Sequence, residues 1–520
     1  MVIEWNAFSG TNRERFLAAG AFLRQHPHST LHLAPGTYEV TGDAEYRLYQ
    51  AIISGEHGRN PQPFTLHPDF QYTRLLDLDG AEDVVIDADG ATLLLNGFFE
   101  PISIRNCKNV TIRGLTIDYL RKPYSKGRIT AFRRDGDTEQ IAVRFREDLP
   151  ESCSCPRYAL YDWNSGRLMP LPFRVNGFRK TAPYEFEYTV SGCSEGAVGC
   201  EFYVKHFFHS RPAILMQNAC SIRLENVTIH TQPGMGITAD HARDIEIEHL
   251  SVLPSAGDHL STTTDATHFV SCYGTLRMHG CTFDGHGDDA VNVHTYYHTV
   301  TPMNGQRYVL HCMASDGTHT ASPDLPAPGD ELVAAQIGTL TEGRVYRVLE
   351  SNPIDWRTVC VTLDAPIAEP LTEIYLANRT ASPNFTFSGC RVRNHFARSV
   401  LIKTRRAVVE NCLFELSAKT PIVVSAEENW GEGISSECVT VRNNVFLNCA
   451  PTESVSAVRV FTGASAPDGI QHGRILLENN VVIDQRTPVA QTNRQSFSVR
   501  NAREVACNGN VTLPGFGASD

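Results

Sequence analysis

Apolar residues recur along this chain in one short pattern: apolar, any, apolar, two of any kind, a small or amide residue, any, apolar. Val110, Ile112, Leu115 and Ile117 fit it, as do Ile222, Leu224, Val227 and Ile229, and then Ile245, Ile247, Leu250 and Val252. Later copies run through Leu276, Met278, Cys281 and Phe283, then Phe385, Phe387, Cys390 and Val392, and continue to Ile475, Leu477, Asn480 and Val482. Alternation of this kind specifies short half-buried strands, and stacking one copy on the next buries a continuous core. The pattern predicts a β-helix-like solenoid. Helical periodicity is convincing only near Arg13 to Gln25, which suits a cap over the open first coil.

One column of the repeat holds Cys281, Cys390 and Cys412 and then Asn444, Asn480 and Asn510. A single buried Asn loses hydrogen bonds, whereas stacked copies satisfy one another. Small apolar packing explains the cysteines of that column, with rungs about 4.8 Å apart. Cys153 with Cys155, and Cys193 with Cys200, are local candidates for disulfides, but the total of 15 cysteines is odd and irregularly spaced, which argues against a disulfide framework.

The repeat disappears twice. From 120 to 209, segments such as GRITAF, QIAVRF and YEFEYTV read as antiparallel hairpins, and from 301 to 381 RYVLHC, ELVAAQI and TVCVTL have the same character. The expected layout is an all-β chain. It has a cap and first coils over 1–119, an inserted β-barrel or sandwich-like domain over 120–209 and coils over 210–300. A second such insertion follows over 301–381, and closing coils run over 382–520.

Chemistry concentrates in STTTDATHF at 261–269 and FDGHGDDAVNVH at 283–294. Asp265, Asp288 and Asp289 could supply one protonated carboxyl for a leaving oxygen and one carboxylate to activate water. A tandem Asp beside Gly is more often an exposed turn, but Gly285 and Gly287 permit irregular backbone, and apolar strands flank the pair on both sides. The loop SAEENWGEG offers Glu427, Glu428, Trp430 and Glu432, an aromatic platform with hydroxyl-bonding carboxylates; its alternative is a solvated acidic loop with a packing Trp. Asn292 orients a carboxylate or satisfies a turn. Of His259, His268, His286 and His294, one or two position hydroxyls and the rest are structural. No zinc spacing occurs among them, so no metal is expected.

Composition adds limits. The 520 residues carry a net charge of −12, which disfavours nucleic acid, and no apolar run is long enough to span a bilayer. The opening MVIEWNAFSGTNRERF has no basic region followed by an apolar core, so no signal peptide is read; cytoplasmic residence and export after leader removal both stay open.

DATHF and GDDAVNVH, with LAPGTYEV upstream and VLIKT downstream, resemble glycoside hydrolase family 110, the α-1,3-galactosidases on a right-handed parallel β-helix. The resemblance covers most of the chain. It implies an α-galactoside substrate, an inverting reaction and no metal or cofactor. It casts Asp288 as general acid, with Asp265 and Asp289 holding the nucleophilic water. Arg398 and Lys403, in RSVLIKTRR, are similar to a cleft-facing basic strand of polygalacturonase-like enzymes; a solvated face is the equal alternative. Polygalacturonases share the fold and a three-aspartate layout, so a polygalacturonase-like hydrolase is the competing activity and a noncatalytic carbohydrate binder the competing class. Exposed lateral sheets make a homodimer plausible.

Overall fold

The computed structural model describes residues 1–67, 69–314, 325–355, 357–449, 456–466, 469–484 and 496–514. Parts of the second insertion (315–324 and 356) and of the closing coils (450–455, 467–468, 485–495 and 515–520) lie outside the described residues.

The repeat folds into three parallel sheets that run the length of the molecule. In the first, Ile222 pairs in register with Val110 below it and Ile245 above it, and Ile245 in turn with Leu276. The column then passes through Phe385, Ala407, Val439 and Ile475. The second sheet carries the last residues of each copy, with Ile229, Val252 and Phe283 stacked in turn. The third joins Phe99–Arg105, Ile214–Gln217, Ile237–Asp240, Thr267–Val270, Val291–Pro302, Val400–Ile402 and Ile422–Glu427. The fold is a right-handed parallel β-helix, the hand that crossovers between parallel strands take. Its interior is one apolar cluster extending from Trp5 to Leu477.

The residue just before the small or amide position of the repeat has a backbone requirement of its own. Asn226, His249, Asn411, Asn443 and Asn479 occupy the corner between the first two sheets with φ of 53 to 57°. Asn tolerates this left-handed conformation better than most residues because its side chain bonds locally. The next residue along enters the core and forms a ladder. The N–H of Cys281 donates to Cys390 Sγ at 3.3 Å and that of Cys390 to Cys412 Sγ at 3.4 Å. The N–H of Cys412 then donates to Asn444 Oδ1 at 2.9 Å, that of Asn444 to Asn480 Oδ1 at 3.1 Å, and that of Asn480 to Asn510 Oδ1 at 2.9 Å. Sulfur and amide oxygen therefore do the same job, accepting the corner N–H of the rung before. All fifteen cysteines are free thiols, and the candidate pairs Cys153/Cys155 and Cys193/Cys200 are separate buried groups in the core of the first insertion.

The helix Asn12–Gln25 begins with a reciprocal capping box between Thr11 and Glu14. A second cap helix, Asp43–Ser54, was not anticipated. It starts directly after a strand and buries Glu45 beside Tyr49, Ile52 and Ile53, so its core stripe includes a charge; Arg13 pairs with that carboxylate at 2.6 Å. No helix among the described residues is long and apolar enough to cross a membrane.

Between the rungs, residues 124–205 form a seven-stranded antiparallel sheet with its own core, including Ile141, Val143, Phe186 and Phe202. Residues after Thr295 form a second antiparallel unit. There, Val291–Pro302, Arg307–Cys312, Thr358–Leu363, Glu342–Pro353, Glu331–Gln336 and Ile374–Asn378 each pair with two neighbours, closing a ring of six.

Candidate active site

The catalytic candidates come from three consecutive rungs of the third sheet. Thr267, Val291 and Val400 are in register, and two residues before each stand Asp265, Asp289 and Arg398. Stacking at rung spacing, about 4.8 Å, places acid on acid on guanidinium. Arg398 answers with a two-pronged ion pair to Asp289, Nε to Oδ1 at 2.8 Å and Nη2 to Oδ2 at 2.6 Å, and its backbone N–H adds a bond to Oδ1 at 2.8 Å. Asp288, one residue earlier, faces the same space. One oxygen from each of the three aspartates lies within 4.8 Å of the others.

Two glycines make this packing possible. Gly285 has φ +66°, open to glycine at no steric cost. At Gly287 the constraint is space, because a Cβ there would stand 2.3 Å from Thr263 O and 3.0 Å from Lys205 Nζ.

Burial pushes the Asp288 carboxyl up to about 7, with the charge of Asp289 adding to it and Arg398 and Lys205 opposing it. Burial and the Asp289 charge likewise push Asp265 well above the carboxylate range. Hydrogen bonding locates the proton of Asp265. His294 Nδ1 faces the Thr295 carbonyl at 3.0 Å and must carry a hydrogen; burial holds that ring near 4, so it is neutral and its Nε2 is a lone pair. His268 Nε2 donates to it at 2.7 Å, leaving His268 Nδ1 to accept a proton from Asp265 Oδ2 at 2.7 Å. His268 is likewise lowered to about 4 by burial. The trio thus holds one acid near neutrality, one neutral carboxyl and one carboxylate paired with arginine.

The three aspartates share a cavity of about 570 Å³ with Asn292, Arg398, Glu427, Trp430 and Glu432. Trp430 is half exposed at its rim, and Asn292 Oδ1 has no hydrogen-bond partner among the described residues. Lys403 and His294 lie behind the wall instead. Lys403 Nζ is fully buried between Glu427, at 2.8 Å, and Glu432. Burial works against charge at Glu432, yet Lys403 holds that carboxyl well below its usual range. His286 stacks on His395 and His259 on Tyr161, each away from the carboxylates. Glu428 turns outward and accepts hydrogen bonds from the N–H groups of Gly338 and Ser465.

Sequence reasoning missed Lys205. It ends the strand Glu201–Lys205 of the first insertion, and its buried Nζ donates to Thr263 O at 2.9 Å and Gly287 O at 3.3 Å. Burial lowers this amine to about 7 against the pull of Asp288. A lysine closing the apolar run EFYVK was the available signal. Arg157, Phe208 and His209 of the same insertion also line the cavity. The carboxylate trio has the donor chemistry for a cation, but Arg398 and Lys205 already supply positive charge there.

No family model matches the chain. It is 22% identical over 480 residues to α-1,3-galactosidase A of Shewanella woodyi, covering 85% of this chain and 74% of that one. It is 29% identical over 403 residues to an α-1,3-galactosidase B of Phocaeicola vulgatus, covering 71% and 68%. Among solved structures, an endo-xylogalacturonan hydrolase from Aspergillus tubingensis aligns with TM-score 0.41 and 8% identity over 99% of this chain and 93% of that one, too loose a likeness to bear on activity. The molecule is a glycoside hydrolase on a parallel β-helix. Within that class it is a homologue of the α-1,3-galactosidases, glycoside hydrolase family 110.

Proposed function

We propose that this protein removes terminal α-1,3-linked galactose from a glycan by inverting hydrolysis. The observation that carries the reading is the division of charge within one cavity. Asp288, raised to about 7, keeps a proton to give to the leaving oxygen. Asp289, paired with Arg398, takes a proton from water, and Asp265 with its hydrogen-bonded histidines helps to seat that water. Asn292, Glu427 and Glu432 offer acceptors for sugar hydroxyls, and Trp430 offers a ring for the apolar face of galactose. Lys403 and His294 act from behind, fixing Glu432. The neutral substrate class suits a chain of net charge −12 better than nucleic acid or polygalacturonate does. A homodimer through the lateral sheets belongs to the same reading.

One observation favours a second outcome. The carboxylate oxygens lie within 4.8 Å, closer than the roughly 6.5–9.5 Å usual for inversion and near the ~5 Å of retaining pairs. Against retention, both oxygens of Asp289 are engaged by Arg398, and an attack on carbon would have to compete with those bonds. An NMR time course on Galα1,3Gal and on the blood group B trisaccharide decides both questions. β-Galactose appearing first supports inversion and the relative rates give the branching preference. α-Galactose first establishes retention, and cleavage of galacturonan alone overturns the assignment.

A further inference from the structure

A second cavity, of about 680 Å³, lies on the first insertion and takes no part in the chemistry at Asp288. Arg128 and Arg146 line it, both exposed and both without an ion pair or side-chain hydrogen bond among the described residues. Arg144 also lines it and reaches only a half-exposed Glu185 at 3.7 Å. The acids present are already engaged. Glu201 accepts from Tyr203 Oη at 2.9 Å, and Asp162 accepts from the N–H of Asn164 and the hydroxyl of Ser165 in its own turn. Arg128 and Arg146 therefore face solvent without a counterion and Arg144 with only a loosely held one, on a protein of net charge −12.

Trp163 sits beside them at 56% exposure, unusual for so large an apolar side chain. It is held edge-on to Tyr161 at 5.1 Å, and Tyr161 is itself stacked on His259 at 3.5 Å. The ring is thus a supported, largely exposed platform. Planar guanidinium groups suit carboxylate and sulfate oxygens, and an indole face suits the apolar side of a sugar ring.

We propose that this cavity is a second glycan site, taking an anionic sugar that bears a carboxylate or a sulfate ester. The strand Glu201–Lys205 runs from it toward the active-site cavity, with Glu201 lining the first and Lys205 bonded to the carbonyl of Gly287, next to Asp288. Four residues at a rise of ~3.3 Å separate them by about 13 Å. A branched or extended glycan could reach both, yet the site stands independently of the reaction at Asp288.

Calorimetric titration with a sulfated galacto-oligosaccharide, an oligogalacturonide and a neutral galacto-oligosaccharide tests the proposal. With the active-site cavity saturated by galactose, at least one anionic probe should bind while the neutral probe does not. Arg128→Gln with Arg146→Gln, and separately Trp163→Ala, should each weaken it at least tenfold with hydrolysis of a small aryl α-galactoside unchanged. The anionic arm that binds identifies sulfate or carboxylate as the recognised group. Failure of both anionic probes, displacement by galactose, or unchanged affinity in the arginine double variant overturns the site.

Discussion

His268 and His294 meet Nε2 to Nε2 at 2.7 Å across two adjacent rungs, so one ring must donate and the other accept. With His294 Nδ1 committed to a carbonyl, the direction is fixed and the extra proton falls between His268 and Asp265. Both imidazoles, lowered to about 4 by burial, should stay neutral from pH 5.5 upward. Nitrogen-15 shifts of the two rings check this. A ring that becomes cationic near 6.5 contradicts the proton placement.

Asp288 gives a pH dependence of definite sign. The proton-donor role proposed for Asp288 requires it protonated, so kcat/KM should fall as pH rises through about 7. Asp288→Asn should lower turnover by ~10²–10⁴ on a galactoside with a poor leaving group. It should cost much less on a dinitrophenyl galactoside, which needs no protonation. Because Lys205 opposes the rise of Asp288, Lys205→Met should move the alkaline limb upward. The same shift enters stability: a carboxyl that holds its proton more tightly when folded contributes most below its unfolded value, and that contribution disappears as pH rises through about 7. Asp288→Asn should therefore gain stability over the wild type above pH 7 in urea titrations.

Lys403 is buried between two acids, and removing it strands both. Lys403→Met should cost about 3–5 kcal/mol in denaturant unfolding. Adding Glu427→Gln and Glu432→Gln should recover part of that loss without restoring activity. Equal stability of the single variant and the wild type would show that the two carboxyls are protonated.

The side-chain ladder predicts a graded series. Asn444→Ala leaves the Cys412 N–H without its acceptor and frees the Val409 carbonyl as well, so each unsatisfied group should cost ~1–3 kcal/mol. Cys390→Ala removes only weak sulfur hydrogen bonds, accepted from the Cys281 N–H and donated to the Ser388 carbonyl, and should cost less. Hydrolysis rates of the folded variants should match the wild type at 25 °C.

Thiol labelling reads the same column independently. Exposed Cys507 should react first, whereas Cys281, Cys390 and Cys412 should wait for denaturation.

Much of this was legible in the chain. Alternation from Val110 to Val482 announced the rungs, and the shift from Cys to Asn announced the ladder, because each rests on contacts one repeat away. Counting back two residues from the rung strands in DATHF, GDDAV and ARSVL also puts Asp265, Asp289 and Arg398 in one column, so their pairing was available from register alone. Lys205 was not, because a strand of an inserted sheet brings it to the trio from about sixty residues away in sequence, at Thr263. The tautomer chain through His294 was equally hidden, since it depends on which carbonyl each nitrogen meets. The helix Asp43–Ser54 was obscured by Glu45, a charge buried on its core face.

The strand Val291–Pro302 belongs to two structures at once. Its first residues pair with the rungs on either side, Tyr296 pairs with Glu432, and its last five residues pair with Arg307–Cys312 in the closed ring. Asp289 stands two residues before its start and His294 lies within it. The ring is thus welded to the catalytic rung by unbroken backbone, and it cannot swing as a lid without turning the axle on which Asp289 is mounted. A substitution in the ring's outer loops would leave that axle in place, whereas a hinge inserted near Thr295 would loosen Asp289, the imidazole chain and Glu432 together.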